Sequence, residues 1–341
     1  MRVFKFRITL KPFTLVLYLL VVFATTLALI YFWFMQPIGQ HKFDSAIVEL
    51  KTGEPLVAFS SRLKEKKLLS GSQIWTKFAQ LRGLSTKAKA GEYWVHAKDT
   101  RESLLQRVVR GEVVSYEARI IEGWSVDELL AYLQGIEKLK KTLGEANRET
   151  LLERLKLRGG NAEGRFLPDT YHYVKGDSDA DILLRAYEAM NEELKTVWSQ
   201  RASELKSSSE YDLLIVASLI EKETGIDSER NIISQVFNSR LKRKMRLQTD
   251  PSVIYGLGNS FDGNLRRSDL KSDGPYNTYT RHGLPPTPIA LPGIASLRAA
   301  GQPSDSKYFY FVGRGDGTTH FSETLEEHQK AVRRYQLGGM R

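Results

Sequence analysis

Residues 217–224 read Ala-Ser-Leu-Ile-Glu-Lys-Glu-Thr and close an apolar run that begins near Tyr211. A segment apolar up to Ile220 and then abruptly charged predicts a buried helix with a polar last turn. Glu221 follows Ala217 and Ser218 by one turn, and these small residues leave room above the helix. Glu223 lies about 200° round the axis from Glu221, so the two carboxylates are not expected to face each other. A carboxyl beside so apolar a helix is partly desolvated, which favours its neutral form and suits it to act as a general acid near neutral pH. Glu221 is therefore the candidate catalytic residue. The charged triplet 221–223 equally fits the solvated end of a core helix, and the local pattern leaves both readings open.

Two later stretches supply partners for such an acid. In Leu-Gln-Thr-Asp-Pro, residues 247–251, Asp250 directly precedes Pro251, the arrangement expected at a helix start, with the helix running to Gly256 or Gly258. Residues 275–293 carry Tyr276, Asn277 and Tyr279 together with five of the eleven prolines. Prolines stiffen a loop by lowering the entropy lost on ordering it. Tyrosine rings stack on sugar faces and amides bind hydroxyls, which makes the segment a candidate saccharide wall. Packing of an irregular loop accounts for Tyr276 and Tyr279 equally well at this level. Metal chemistry is not expected: the six histidines show no His-x-x-x-His or His-Glu-x-x-His spacing, and there is no cysteine to supply a thiolate ligand, nucleophile or disulfide. No cofactor is implied. His320 and His328 read as surface histidines, and residues 313–317 as a tight turn between a strand and a helix.

The elements that must position these groups form a mixed α+β chain. Residues 46–50 and 91–96 read as strands and 56–69 and 73–81 as helices, a β-α-α-β order that resembles a LysM-type glycan-binding module in element order alone. A helix over 100–109, a β-rich stretch over 113–121 and a helix begun by the Ser125/Glu128 capping-box spacing follow. Residues 138–158 are charged and read as helical. The serines at 207–209 mark a late boundary. Beyond the acidic turn, Ile232, Ile233, Val236, Phe237 and Leu241 recur at core spacing on a second helix, which ends in five cations within residues 240–246.

At 341 residues the chain has room for about two domains. Its excess of 50 Lys+Arg over 40 Asp+Glu is spread thinly, which does not fit a nucleic-acid partner. Residues 13–35 are uncharged and mostly apolar, about 34 Å as a helix, enough to span a bilayer core of roughly 30 Å. The run ends in Tyr31, Phe32, Trp33 and Phe34, bulky residues unlike a small-x-small cleavage site. An uncleaved single-pass anchor is expected, with Arg2, Lys5, Arg7 and Lys11 holding the N-terminus in the cytoplasm and the remainder outside.

Taken together, residues 217–224, then 246–256, then Tyr276 to Tyr279 with Gly283, Leu284, Pro285 and Pro286, closely resemble the endolytic murein transglycosylase, or YceG-like, family. Residues 163–170, 308–312 and 320–321 extend the match over nearly the whole chain. The resemblance implies an anchor (12–35) after a cytoplasmic N-terminus (1–11), a LysM-like module (45–117), a helical connecting region (118–205) and an α+β catalytic domain (206–341). It implies a lyase of the plasma or inner membrane whose periplasmic or extracellular domain cleaves the MurNAc–GlcNAc bond within peptidoglycan glycan strands. Products would end in 1,6-anhydro-MurNAc, and nascent strands would be terminated or trimmed. Glu221 would protonate the glycosidic oxygen and then take the proton of the muramic C6 hydroxyl. Gln248, Asp250, Tyr255, Tyr276, Asn277 and Tyr279 are inferred to bind substrate, and peptidoglycan synthases and division proteins are candidate partners. Two alternatives stand beside this: a non-catalytic glycan-binding division scaffold, and a muramidase-type hydrolase, which gains if Asp250 faces the catalytic glutamate.

Overall fold

The computed structural model describes residues 12–38 and 44–338. The chain divides into two compact units, Met1–Tyr116 and Glu117–Arg341.

In the first unit, α1 (Pro12–Met35) leads into β1 (Ser45–Leu50), α2 (Leu56–Glu65), α3 (Ser72–Leu81), β2 (Gly91–His96), α4 (Arg101–Arg110) and the start of β3 (Ser115–Arg119). The span Phe13–Met35 is long and apolar enough to cross a membrane, and none of its most apolar stretch is buried in the protein. β1 and β2 pair antiparallel, Ser45 opposite His96 and Leu50 opposite Gly91, and the two helices between them close a core around Phe59, Leu63, Trp75 and Tyr93. The β-α-α-β order read from the sequence is thus present, with α2 four residues shorter than the stretch 56–69. Lys67 ends that helix early by adopting a left-handed φ of 59°.

The second unit continues with α5 (Val126–Gly135), α6 (Leu151–Arg154), β4 (Thr170–Val174), α7 (Asp179–Ser199), α8 (Glu210–Glu223), α9 (Asp227–Lys242), α10 (Asp250–Leu257), α11 (Arg267–Lys271), α12 (Ile294–Gly301), β5 (Tyr310–Gly313), β6 (Thr319–Ser322) and α13 (Leu325–Tyr335). It holds both the stretch expected as a connector and the stretch expected to be catalytic. β3 pairs with β4 and β5 with β6. The capping box expected at Ser125 and Glu128 starts α5, and Pro251 in the first turn of α10 bears out the start expected at Asp250. Two expectations fail. Residues 138–158 hold only the single turn α6: Asn147 starts it late as a cap, its Oδ1 accepting from the N–H groups of Glu149 and Thr150 and its carbonyl from that of Leu151, and Lys156 ends it with a left-handed φ of 58°. Residues 313–317 join β5 to β6 as a hairpin turn, with glycines at positive φ at 315 and 317, and do not lead into a helix.

α8 is the centre of this unit. Leu213 to Ile220 are all buried, as befits a helix apolar on every side, and they pack with Ile233 and Phe237 of α9, Leu297 and Ala300 of α12, and Met190 of α7. The proline wall is bonded to the same helix: the Ile289 N–H donates to Ser218 Oγ at 3.0 Å, and the Gly293 N–H to Glu221 Oε2 at 3.0 Å. Gly164, at φ 78°, lies against the wall so closely that a Cβ there would sit 2.5 Å from the Pro288 ring. Gly164→Ala is therefore expected to destabilise the fold by roughly 2–4 kcal/mol, from left-handed strain plus overpacking, read as a lower thermal unfolding midpoint.

Candidate active site

The last turn of α8 sends its charged side chains in different directions. Glu221 points to the proline wall, where beside the Gly293 N–H it has the buried Arg230, its Nη2 4.0 Å from Glu221 Oε1. Lys222 Nζ donates to the Gly123 carbonyl at 3.1 Å, and residues 123–124 exchange backbone hydrogen bonds with Leu291. The neighbouring Glu122 is pushed up by its own desolvation and by the charge of Glu221, and it fills the space over Gly293: a Cβ there would meet Glu122 Oε1 at 1.8 Å. Glu221 and Arg230 side chains are each only 7% exposed.

Glu223 opens on the other side, into a polar groove of about 430 Å³ lined also by Gln248, Asp250, Tyr279, Arg240, Tyr310 and His328. Glu221 does not line this groove. Burial pushes the Glu223 carboxyl up to about 7 from an ordinary 4.5; Thr249 opposes the rise, Asp250 adds to it, and Arg240 opposes it. A glutamic acid titrating near neutrality can give and then accept a proton in one catalytic cycle.

Each groove residue is held by a different element. Gln248 has a left-handed φ of 51°, which costs a non-glycine residue about 1 kcal/mol and is maintained by its N–H bond to the Thr278 carbonyl, 3.1 Å. Strain of this kind gathers at functional sites. Asp250 sits at the start of α10, and its Oδ1 accepts from the Tyr279 hydroxyl at 2.5 Å. Burial and the neighbouring Asp250 hold that phenol well above its usual range, so it stays a donor. Arg240 is 6% exposed, and its Nε and Nη1 donate to the carbonyls of Phe309 and Leu247, both at 2.7 Å, which ties α9 to the strand side of the groove. His328 stacks on Tyr310 with ring centroids 5.2 Å apart. Its buried Nδ1 has no hydrogen-bond partner, and burial, with Arg240 and His320 nearby, lowers its pKa. Tyr279→Phe is expected to leave the fold intact and to slow turnover roughly tenfold by releasing Asp250, the equivalent of one charged hydrogen bond, as measured by kcat beside thermal unfolding.

Of the residues expected to bind substrate, the structure brings Gln248, Asp250 and Tyr279 together around Glu223 and not around Glu221. The other three serve the framework. Asn277 is buried; its Nδ2 donates to the carbonyls of Asp269, Leu270 and Ser272, and its Oδ1 accepts from the Tyr279 N–H. Tyr255 donates to Glu163 Oε2 at 2.9 Å and accepts from Arg148 at 2.9 Å. Tyr276 packs edge-on against Tyr255 and shares a hydrogen bond with Thr287. Glu163, fully buried, also accepts from the Val126 N–H at 2.9 Å.

The sequence reading does not place Arg240, Tyr310 and His328 at the site: it puts Arg240 within a basic helix end and His328 at the surface, whereas Arg240 is buried, His328 Nδ1 is buried, and both line the groove. For Arg240 the signal was present: it follows Ile233, Val236 and Phe237 at helical spacing on the core-facing side of α9, where a cation demands partners. Tyr310 and His328 come from the C-terminal hairpin and helix, and local pattern carries no sign that these return to α8. Among the described residues no cluster of three or more His, Asp or Glu side chains could hold a metal ion.

A desolvated glutamic acid in an open polar groove, flanked by an amide, a tyrosine and a second carboxylate, defines a general acid–base site on an α+β unit. The chain belongs to the YceG-like family, whose model matches residues 48–334. It is 29% identical over 320 residues to an endolytic murein transglycosylase of Bacillus subtilis (strain 168), covering 88% of each chain. It is 27% identical over 330 residues to the endolytic murein transglycosylase of Streptococcus pneumoniae serotype 2 (strain D39 / NCTC 7466), covering 87% of this chain and 59% of that one. A solved yceG-like protein from Listeria monocytogenes is similar with a TM-score of 0.52 and 28% identity, over 84% of this chain and 99% of that one.

Proposed function

We propose that this protein is a lytic transglycosylase, a lyase acting on peptidoglycan, in which Glu223 is the acid–base residue. The curated relatives are endolytic murein transglycosylases, and the observation that carries the residue assignment is that Glu223, with its carboxyl near neutrality, shares one groove with Gln248, Asp250 and Tyr279. The role expected for Glu221 passes to Glu223 on this reading, because Glu221 is occupied with Gly293 and Arg230 away from the groove.

Neutral Glu223 protonates the glycosidic oxygen as the bond to the muramic anomeric carbon breaks. The resulting carboxylate takes the proton from the muramic C6 hydroxyl, whose oxygen attacks the anomeric carbon and closes a 1,6-anhydro ring. The nucleophile belongs to the substrate, so one carboxyl group working twice suffices, where a glycosidase needs two. Gln248 and Tyr279 offer an amide and an aromatic ring to sugar hydroxyls and faces. Cleavage falls within strands, at the MurNAc–GlcNAc bond. α1 anchors the protein in the membrane with the remainder outside, and the β1-α2-α3-β2 unit is read as LysM-like from its element order and antiparallel strand pair.

One observation favours a second reading. Asp250 lines the same groove as Glu223 and interacts with it electrostatically, as a hydrolase with two carboxylates would require. Mass spectrometry of products from uncrosslinked glycan strands separates the two: the lytic reading requires anhydro-muramic ends, one water lighter than the reducing ends that hydrolysis makes. Strand binding with no cleavage would favour a scaffold.

A further inference from the structure

The last turn of α1 is built into the core of the first unit. Phe34 is 1% exposed and its ring lies 4.0 Å from that of Phe78 on α3, while Ile38 is also buried and its N–H bonds the Asp99 carbonyl at 2.8 Å. The Trp33 ring covers Gly71, where a Cβ would stand 2.5 Å away. Arg101 seals the join: its guanidinium lies 3.9 Å from the Trp33 ring centre, and it donates to the carbonyls of Trp33 and Gln36 and to Ser70 Oγ. Tyr31 and Phe32, one turn back, are 66% and 63% exposed, as aromatic residues are at a membrane–water boundary. Among the described residues, the end of the apolar helix packs directly on the β1-α2-α3-β2 unit.

This docking sets the α2–α3 turn beside the point where α1 would leave a bilayer. The turn is exposed and basic, with Lys64, Lys66 and Lys67 against the single acid Glu65, and it runs directly to Ser70 and Gly71 at the Trp33 contact. Ile74, 56% exposed, follows one turn into α3. Leu81, 87% exposed, lies at the opposite end of α3.

We propose that this turn is a membrane contact: Lys64, Lys66 and Lys67 meet the phosphates of anionic lipid head groups, and the first unit rests on the bilayer surface. The inference rests on the reading of α1 as a membrane span. Continuity with that span fixes the occupant, and juxtamembrane cations are drawn to an anionic lipid surface.

The natural absence of cysteine allows a direct test on the full chain reconstituted in phosphatidylglycerol bilayers. A nitroxide is attached to Lys64→Cys or, separately, to Leu81→Cys, and its relaxation enhancement of the lipid phosphorus nuclei is measured. The enhancement from position 64 is expected to exceed that from 81 severalfold, since the proposed contact places the basic turn, and not the far end of α3, at the head groups and the effect falls with the sixth power of distance. Adding Lys66→Glu and Lys67→Glu should weaken the enhancement at 64. Equal enhancement from 64 and 81 in a chain that resists alkaline carbonate extraction would overturn the contact while leaving the span intact. Release of the chain by carbonate would overturn the span and the contact with it. Undiminished enhancement after the double charge reversal would remove the head-group phosphates as the partner.

Discussion

Glu223→Gln is expected to lower turnover on glycan strands by roughly a thousandfold, within the range that general acid–base groups supply, while leaving the fold and strand binding in place. The amide matches the carboxyl in shape but neither releases nor takes up a proton. Glu221→Gln is the informative contrast. Its Oε1 still accepts from the Gly293 N–H, so the proline wall stays bonded to α8 and activity should remain within about tenfold of the parent. Initial rates on uncrosslinked strands, with circular dichroism of each variant, decide between them. Loss of turnover in Glu221→Gln with retention in Glu223→Gln would return the acid–base role to Glu221. The pH profile carries the same assignment: burial holds the Glu223 carboxyl at about 7, and the acid form must be present to protonate the leaving oxygen. Thus kcat/KM should fall as pH rises above that value, and the fall should disappear from the residual activity of the Gln variant.

The second large effect concerns stability. Glu163 is fully buried, and desolvation raises it to about 7 from 4.5, against the opposing hydrogen bonds from Tyr255 and the Val126 N–H and the charge of Arg148. A carboxyl that is harder to ionise in the folded state than in the unfolded chain holds more protons when folded. Stability from this source is therefore complete below about pH 4.5 and is lost as pH rises to about 7, by roughly 3 kcal/mol in total. Glu223 works in the same direction over the same window. Denaturant unfolding from pH 4.5 to 8 should show this decline, and Glu163→Gln should remove about half of it. Glu163→Leu strips the acceptor from two buried donors and is expected to cost roughly 3 kcal/mol or more at every pH. An unchanged slope in the Gln variant would contradict the account of the buried network.

What could be read without the structure was local. The all-apolar face of α8, the Ser125 capping box and the Asp250–Pro251 helix start are each set by a few neighbouring residues, and each appears where expected within a residue or two. The site was legible as an inventory: Gln248, Asp250 and Tyr279 do meet a glutamate of α8 in one groove. Which glutamate was not legible. Glu221 and Glu223 sit on nearly opposite sides of the same turn, and the choice depends on where the strands and helix of residues 310–336 fold back to supply the far wall, a long-range event. Asn277, Tyr255 and Tyr276 share the motifs of the groove residues, yet their polar atoms are spent on the loop and on Glu163. The helix expected over 138–158 shrinks to a single turn, capped late by Asn147 and ended by the left-handed Lys156, neither of which the charge pattern shows.

Whether one carboxyl group works twice or two work together is the central question, and Asp250 beside Glu223 keeps it concrete. Cleavage of uncrosslinked strands in 18O-labelled water answers it through the mass of the new muramic end. The lytic mechanism predicts an anhydro end carrying no label, since the C6 oxygen of the substrate closes the ring. A reducing end carrying one labelled oxygen would contradict it and make the protein a two-carboxylate hydrolase of Glu223 and Asp250.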